Sequence, residues 1–409
     1  MTSPSSLRPN PPQRRGGRPF LVYGAPVIET PEIDEVVDSL RSGWLGTGPK
    51  VARFERTFAA YKNAPHAVAV NSCTAALHLS LVAAGLGPGD EVITTPLTFC
   101  ATINAIIHAG ATPVLADVDP ETMNLDPVDA ARRITPRTRA IVPVHFAGRP
   151  CELAPLTTLC RHHDLALIED CAHAIETRAG GTEAGTAGDF GCFSFYVTKN
   201  LCTGEGGMIL PRTAEAAARV KRLALHGLSA DAWSRFSDRG YRHYAVVEPG
   251  FKYNMTDLQA AIGIHQLARI EPNHRHRETV WTRYQDALCD QPVIRPTEPA
   301  AGTRHAYHLY AIRIPPDARV DRDAFIAAMY ERGVGTGVHY RSVAEHPCYQ
   351  QRFGWRPEAW PHAFRIGRET VSLPLSAGLS DQDVDDVITA TRDALGDAAP
   401  RCMRGGRAA

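Results

Sequence analysis

Seven short apolar runs alternate with helical patterns over residues 67–210, and this alternation does most to restrict the fold. The runs occupy 67–70, 91–95, 113–118, 139–145, 165–169, 191–196 and 207–210. Helical patterns fill most of the gaps, at 74–84, 101–109, 127–133 and 153–162. Parallel strands need a crossover far longer than a hairpin turn, and a helix supplies it. The pattern therefore predicts an α/β fold with a seven-stranded, mostly parallel sheet covered on both faces. Upstream, 31–42 reads as a helix with Thr30 as its cap and Pro31 at its first position. A Gly-rich loop, 42–50, and a helix, 51–61, follow. Downstream, helices are expected over 256–275 and 277–288. A small α+β region follows (308–314, 322–332, 335–340), and then a last helix, 381–395. The predicted organisation is a disordered tail over 1–19, a large domain over 20–265, a small C-terminal domain over 266–396 and a tail over 397–409.

Charge narrows the range of partners. Lys+Arg and Asp+Glu both total 44, whereas dedicated nucleic-acid or membrane-surface binders usually carry a basic excess. No apolar run reaches transmembrane length and the first 19 residues hold no apolar signal core, so a cytoplasmic protein is expected. The ten cysteines include no C-x-x-C pair and read as reduced structural thiols, with no metal site. Only five lysines are present, Lys50, Lys62, Lys199, Lys221 and Lys252, which leaves few amines able to form an imine. Lys62 and Lys221 read as helix-surface residues and Lys50 as part of an exposed loop.

In open parallel sheets, ligands sit at the carboxyl ends of the strands, and three features fall there. Ser72, Cys73 and Thr74 follow the first strand and open a helix, where free backbone N–H groups and hydroxyls suit a phosphate; a plain helix cap reads the same way. Asp170 ends an apolar strand and suits a protonated ring nitrogen, although a carboxylate there also serves as a cap, and Asp117 shares the position. Lys199 follows a buried strand inside a Gly-rich segment, where burial lowers an amine's pKa toward a nucleophile. Ser194, five residues earlier, is placed to reach the same phosphate. A phosphate turn, an acid after a later strand and a lysine after a still later one form a more specific pattern than any single feature. Together they suit pyridoxal phosphate.

The residues also carry a family resemblance. The chain resembles the nucleotide-sugar aminotransferases of the DegT/StrS type from about residue 24 to 395. The shared motifs are S-G-W-L-G-T-G-P (42–49), N-S-C-T-A-A-L-H (71–78), P-L-T-F-C-A-T (96–102), E-D-C-A-H-A (169–174), S-F-Y-V-T-K-N (194–200), G-E-G-G (204–207) and G-F-K-Y-N-M-T-D (250–257). Within the family, the last of these and G-T-G-V-H-Y-R (335–341) look closest to the enzyme making UDP-4-amino-4-deoxy-L-arabinose.

The resemblance implies pyridoxal-phosphate fold type I, as in aspartate aminotransferase, and transamination of a nucleotide-linked keto-sugar with glutamate as donor and 2-oxoglutarate as product. It implies that Lys199 carries the cofactor, Asp170 pairs with its ring nitrogen, and His173 and Phe99 lie against the ring. Ser72, Cys73, Thr74 and Ser194 would hold the phosphate. A homodimer is implied, because a residue of the partner subunit reaches that phosphate. Many relatives read G-Y-N-Y-R where this chain has G-F-K-Y-N, which puts Lys252 and Asn254 in the partner-reaching positions. Trp44 and Leu45 would reach a neighbouring site, and His339 and Tyr340 the sugar. Two other readings stay open: a fold-type-I lyase or desulfurase acting on amino acids, and a non-catalytic regulatory homologue.

Overall fold

The computed structural model describes residues 11–229 and 244–396. All seven expected strands form one sheet: β1 (Val68–Val70), β2 (Glu91–Thr94), β3 (Thr112–Leu115), β4 (Thr138–Val142), β5 (Ala166–Asp170), β8 (Phe190–Ser194) and β9 (Gly207–Pro211). Their order is β1-β9-β8-β5-β4-β2-β3. From β3 to β8 every pair is parallel, and β9 runs antiparallel to both β8 and β1. A short hairpin, β6 (Arg178–Ala179) and β7 (Thr182–Glu183), pairs with β10 (Thr303–Arg304) outside the main sheet.

The period-2 alternation of a strand sends its side chains to two separate cores. Val68 and Val70 of β1, Cys192 of β8 and Ile209 of β9 join one cluster with α3 (Cys73–Ala83), α4 (Cys100–His108) and α7 (Ala214–Ala224). Ala69, Phe193, Met208 and Leu210 face the other way, against α2 (Pro49–Tyr61) and α8 (Asp257–Ala268). Helix α3 is buried along nearly its whole length, as its uniformly apolar sequence requires. Farther along the sheet, α5 (Pro127–Arg132) and α6 (Leu153–His163) cover β2, β4 and β5 through Ala130, Leu156 and Cys160.

A separate cluster gathers α9 (Ile270–Ala287), β11 (Tyr310–Arg313), α10 (Arg322–Glu331), β12 (Thr370–Leu373) and α13 (Asp381–Leu395), with β11 and β12 antiparallel. Strand β12 and the short helices α11 (Pro347–Phe353) and α12 (Pro361–Glu369) fall outside the elements expected from the sequence.

Several local expectations need correction. The first helix, α1 (Thr30–Ser42), is capped one residue earlier than expected, at Glu29, whose N–H donates to Glu32 Oε2 at 3.2 Å. The break between α8 and α9 falls at Arg269, not near 276. Arg269 pairs there with Glu29 and Glu32, and the two helices diverge to serve different cores. Lys62 is not on a helix surface: it is fully buried, donating to Ile175 O at 2.6 Å and to Glu183 at 3.1 Å. Lys50 is not in an exposed loop either, since it lies in the first turn of α2 and pairs with Glu35 and Asp38. Residues 14–18, expected in a disordered tail, are docked. Arg14 and Arg18 both bond Asp383 and Asp386 of α13, and Arg14 is buried. The expected tail 397–409 lies outside the described residues. Cys73, Cys100, Cys151, Cys160, Cys171, Cys192, Cys202 and Cys348 are free thiols.

Candidate active site

Strands β1, β5 and β8 end on one side of the sheet, and β9 begins there. Gly207 of β9 sits opposite both Val70 and Ser194, so the G-E-G-G segment lies between the 71–74 turn and the end of β8. A Cβ at Gly207 would stand 2.6 Å from the Ser72 carbonyl carbon. Only glycine lets this strand lie against the turn. Ser72 caps α3, its Oγ accepting the Ala75 N–H at 3.1 Å. This is the bland role the residue type allows, and it leaves the earlier N–H groups of the helix free to meet an anion.

Asp170 is buried at the end of β5. Its Oδ2 accepts the Thr102 hydroxyl at 2.9 Å and its Oδ1 the Ala172 N–H at 3.1 Å. Burial pushes its pKa above the ordinary carboxylate value, while those two donors and the Lys199 charge pull it back. Each oxygen has accepted one bond and keeps further acceptor capacity. The neighbouring Glu169 is spent on structure. It accepts the N–H groups of Gly185, Ala187 and Gly188 and pairs with His145 Nε2 at 3.0 Å. That ties the loop before β8 to β5.

Lys199 follows β8. The residue keeps some exposure, but its amine is enclosed, and burial lowers its pKa to about 8 against the opposing pull of Cys73 and Asp170. Four rings gather beside it. His173 Nδ1 accepts the Ala147 N–H at 3.3 Å, and its Nε2 meets Tyr340 Oη at 3.0 Å. The His173 ring lies 16° from coplanar with Tyr340 and sits 4.4 Å between centres from His308, tilted by 36°. His339 bonds Ser372 Oγ through Nδ1 at 2.9 Å. Burial and the Lys199 charge depress all three imidazoles, His339 to about 3, so they stay neutral. Burial raises the Tyr340 phenol, which stays protonated. Phe99, 57% exposed, stands with its ring 6.0 Å from that of Tyr340.

The structure thus brings together Lys199, Asp170, His173, Phe99, Ser194, His339, Tyr340 and the Ser72, Cys73 and Thr74 turn. Of the remaining four, the segment holding Lys252 and Asn254 pairs with Val70 and Asn71, directly before that turn, while Trp44 and Leu45 lie outside the cluster. Trp44 and Leu45 are exposed on their loop, where Trp44 Nε1 donates to Thr47 O at 3.3 Å. Asn254 is bonded within its own chain, Nδ2 donating to Thr47 Oγ1 at 2.7 Å, and Lys252 is exposed. Thr102, Asn200 and His308 complete the cluster without having been singled out in the sequence. Thr102 closes a quoted motif and Asn200 follows Lys199, so both were in view, but nothing local marks His308.

The residues fit pyridoxal phosphate. An enclosed amine of lowered pKa, a buried carboxylate with acceptor capacity to spare and a glycine-backed helix start match the cofactor's aldehyde, ring nitrogen and phosphate.

Comparison with known proteins agrees with this chemistry. A family model described as the DegT/DnrJ/EryC1/StrS aminotransferase family matches residues 26–392. The chain is 50% identical over 377 residues to the spore coat polysaccharide biosynthesis protein SpsC of Bacillus subtilis, covering 91% of this chain and 97% of that protein. Among solved structures it is similar to the PMP form of the sugar aminotransferase Spr1654 of Streptococcus pneumoniae. That match has a TM-score of 0.86 and 31% identity, and covers 92% of this chain and 99% of the other. Spr1654 is also solved in a PLP form. The chain is likewise similar to PseC of Helicobacter pylori, an aminotransferase of pseudoaminic acid biosynthesis, with a TM-score of 0.85 and 26% identity over 92% and 99% of the two chains.

Proposed function

Since the chain belongs to the DegT/DnrJ/EryC1/StrS aminotransferase family, and is thereby a pyridoxal-phosphate-dependent sugar aminotransferase, we propose that it aminates a nucleotide-linked keto-sugar with glutamate as donor. The observation that carries this reading is the enclosed Lys199 amine beside the buried Asp170 carboxylate. When bound, the cofactor supplies an electron sink for the charge left on a carbon that loses its proton.

The chain's own residues do the rest. Lys199 anchors the cofactor and, once released from it, carries a proton between the reacting carbons as base and then acid. Asp170, oriented by Thr102 and the Ala172 N–H, keeps the ring nitrogen positive. The Ser72, Cys73 and Thr74 turn and Ser194 hold the phosphate. His173 and Phe99 bracket the ring. Their neighbours His339 and Tyr340 reach the sugar, which we propose is a 4-keto pentose or 6-deoxyhexose. The working unit is a homodimer in the cytoplasm, with Lys252 or Asn254 and the Trp44–Leu45 loop serving the partner's site. Among the described residues no helix is long and apolar enough to cross a membrane.

Lys199→Ala is expected to abolish turnover, at least the ~10²–10⁴-fold that a positioned general base supplies, while leaving the melting temperature near wild type. Borohydride reduction, digestion and mass spectrometry are expected to find the adduct on Lys199; an adduct elsewhere overturns the assignment. Beyond the one equivalent per site that the cofactor itself can accept, release of 2-oxoglutarate from glutamate must require a keto-sugar nucleotide; no further release with any keto-sugar nucleotide, together with elimination products from an amino acid alone, would favour an amino-acid lyase or desulfurase instead.

A further inference from the structure

Two hydroxyls stand behind Asp170, and their protons can run in one direction only. Thr98 and Thr102, both buried, lie 2.8 Å apart, oxygen to oxygen. Thr98 comes just before Phe99, the cap of α4, and Thr102 lies in that helix's first turn, so the four-residue spacing brings them together. Thr102 Oγ1 also stands 2.9 Å from Asp170 Oδ2. An ionised carboxylate has no proton to give, so Thr102 donates its single proton to Asp170. Thr98 must then donate to Thr102, which has no second proton to offer. Neither hydroxyl has another hydrogen-bond partner among the described residues.

A threonine in a helix ordinarily turns its hydroxyl to the carbonyl three or four residues back. Thr57, Thr158, Thr279 and Thr282 all do so here. Thr102 differs: Thr98 occupies its oxygen from one side and Asp170 takes its proton on the other. The Ala172 N–H holds the second carboxylate oxygen at 3.1 Å. Burial raises the Asp170 pKa, and Thr102 is among the groups that oppose it.

We infer, on the reading that Asp170 pairs with the cofactor's ring nitrogen, that Thr98 is a positioning residue for that pairing: it turns the Thr102 proton onto Asp170 and so holds the carboxylate ionised and in one orientation. Without Thr98, the Thr102 hydroxyl is free to turn back to its own helix. Asp170 then loses a donor, becomes more basic and draws the ring proton toward itself, which weakens the electron sink.

The test compares two cofactors on the apoenzyme: pyridoxal phosphate and its deaza analogue, in which a C–H replaces the ring nitrogen. The ratio of their dissociation constants reads the Asp170 pairing, because Lys199 and the phosphate turn meet both alike. Thr98→Val is expected to cut the preference for pyridoxal phosphate about threefold, the effect of one neutral hydrogen bond, and Thr102→Val about tenfold, the effect of one to a charged group. The double variant should match Thr102→Val, since Thr98 acts only through Thr102. Thr98→Ser and Thr102→Ser keep the hydroxyls and should keep the preference. In holoenzyme isotopically labelled at the ring nitrogen, the NMR resonance of that nitrogen should move toward unprotonated pyridine in both valine variants. If Thr98→Val does not fold, Thr98→Ala takes its place. An equal loss for both cofactors, a Thr98→Val change below about 1.5-fold, or additive effects in the double variant overturn the role of Thr98. A preference that survives Asp170→Ala overturns instead the pairing of Asp170 with the ring, which sets the two failures apart.

Discussion

At the scale of single residues, the site works by charges withheld. Lys199 sits among three imidazoles that burial keeps neutral, so none of these three competes with it for Asp170. With its pKa lowered to about 8, about a tenth of the lysine is neutral at pH 7, against roughly 0.03% for an ordinary lysine. The rate at which the apoenzyme takes up pyridoxal phosphate should therefore rise with pH and level off just above 8, as measured by stopped-flow absorbance. A profile still climbing toward 10 would mean the amine is not enclosed. Lys199, Asp170 and Ser194 could be read in the sequence because each ends or follows a strand, and strand ends are where such sheets bind. His308 could not, because its place beside His173 exists only once a segment more than a hundred residues downstream folds back. Asn200 was in view but silent, since its hydrogen bonds to Glu176, Ala306 and His308 form only once distant segments meet.

At the scale of elements, the loop 42–48 and the start of α2 are held by one side chain far away in sequence. Asp257, fully buried at the first position of α8, accepts the N–H groups of Gly48 and Val51 at 2.9 Å and of Lys50 at 3.1 Å. Asp257→Ala strands three backbone donors and should cost about 2–4 kcal/mol, read as a lowered urea midpoint with unchanged slope. A loss below about 0.5 kcal/mol would show that solvent replaces the carboxylate. The strands of the main sheet were legible because the β-αβ rhythm repeats; β12 was not, because it lies outside that rhythm. The α8–α9 break escaped for a different reason: Arg269 interrupts the helix to meet two glutamates of α1, a contact between segments some 240 residues apart.

At the scale of the whole molecule, the proposed dimer makes a sharp prediction. If Lys252 serves the partner's site, Lys199→Ala and Lys252→Ala homodimers should each be impaired. Subunit exchange between them should restore activity, because each hybrid dimer then holds one intact site. No recovery on mixing, with exchange shown by native mass spectrometry, would place Lys252 in its own subunit's site. The arginine clamp on α13 bears on how the protein is handled. Arg14 and Arg18 fasten the beginning of the chain to the acidic side of its final helix. A fusion tag joined at residue 20 would discard both fasteners and leave Asp383 and Asp386 without their arginines, so recombinant versions are better trimmed no further than the first ten residues.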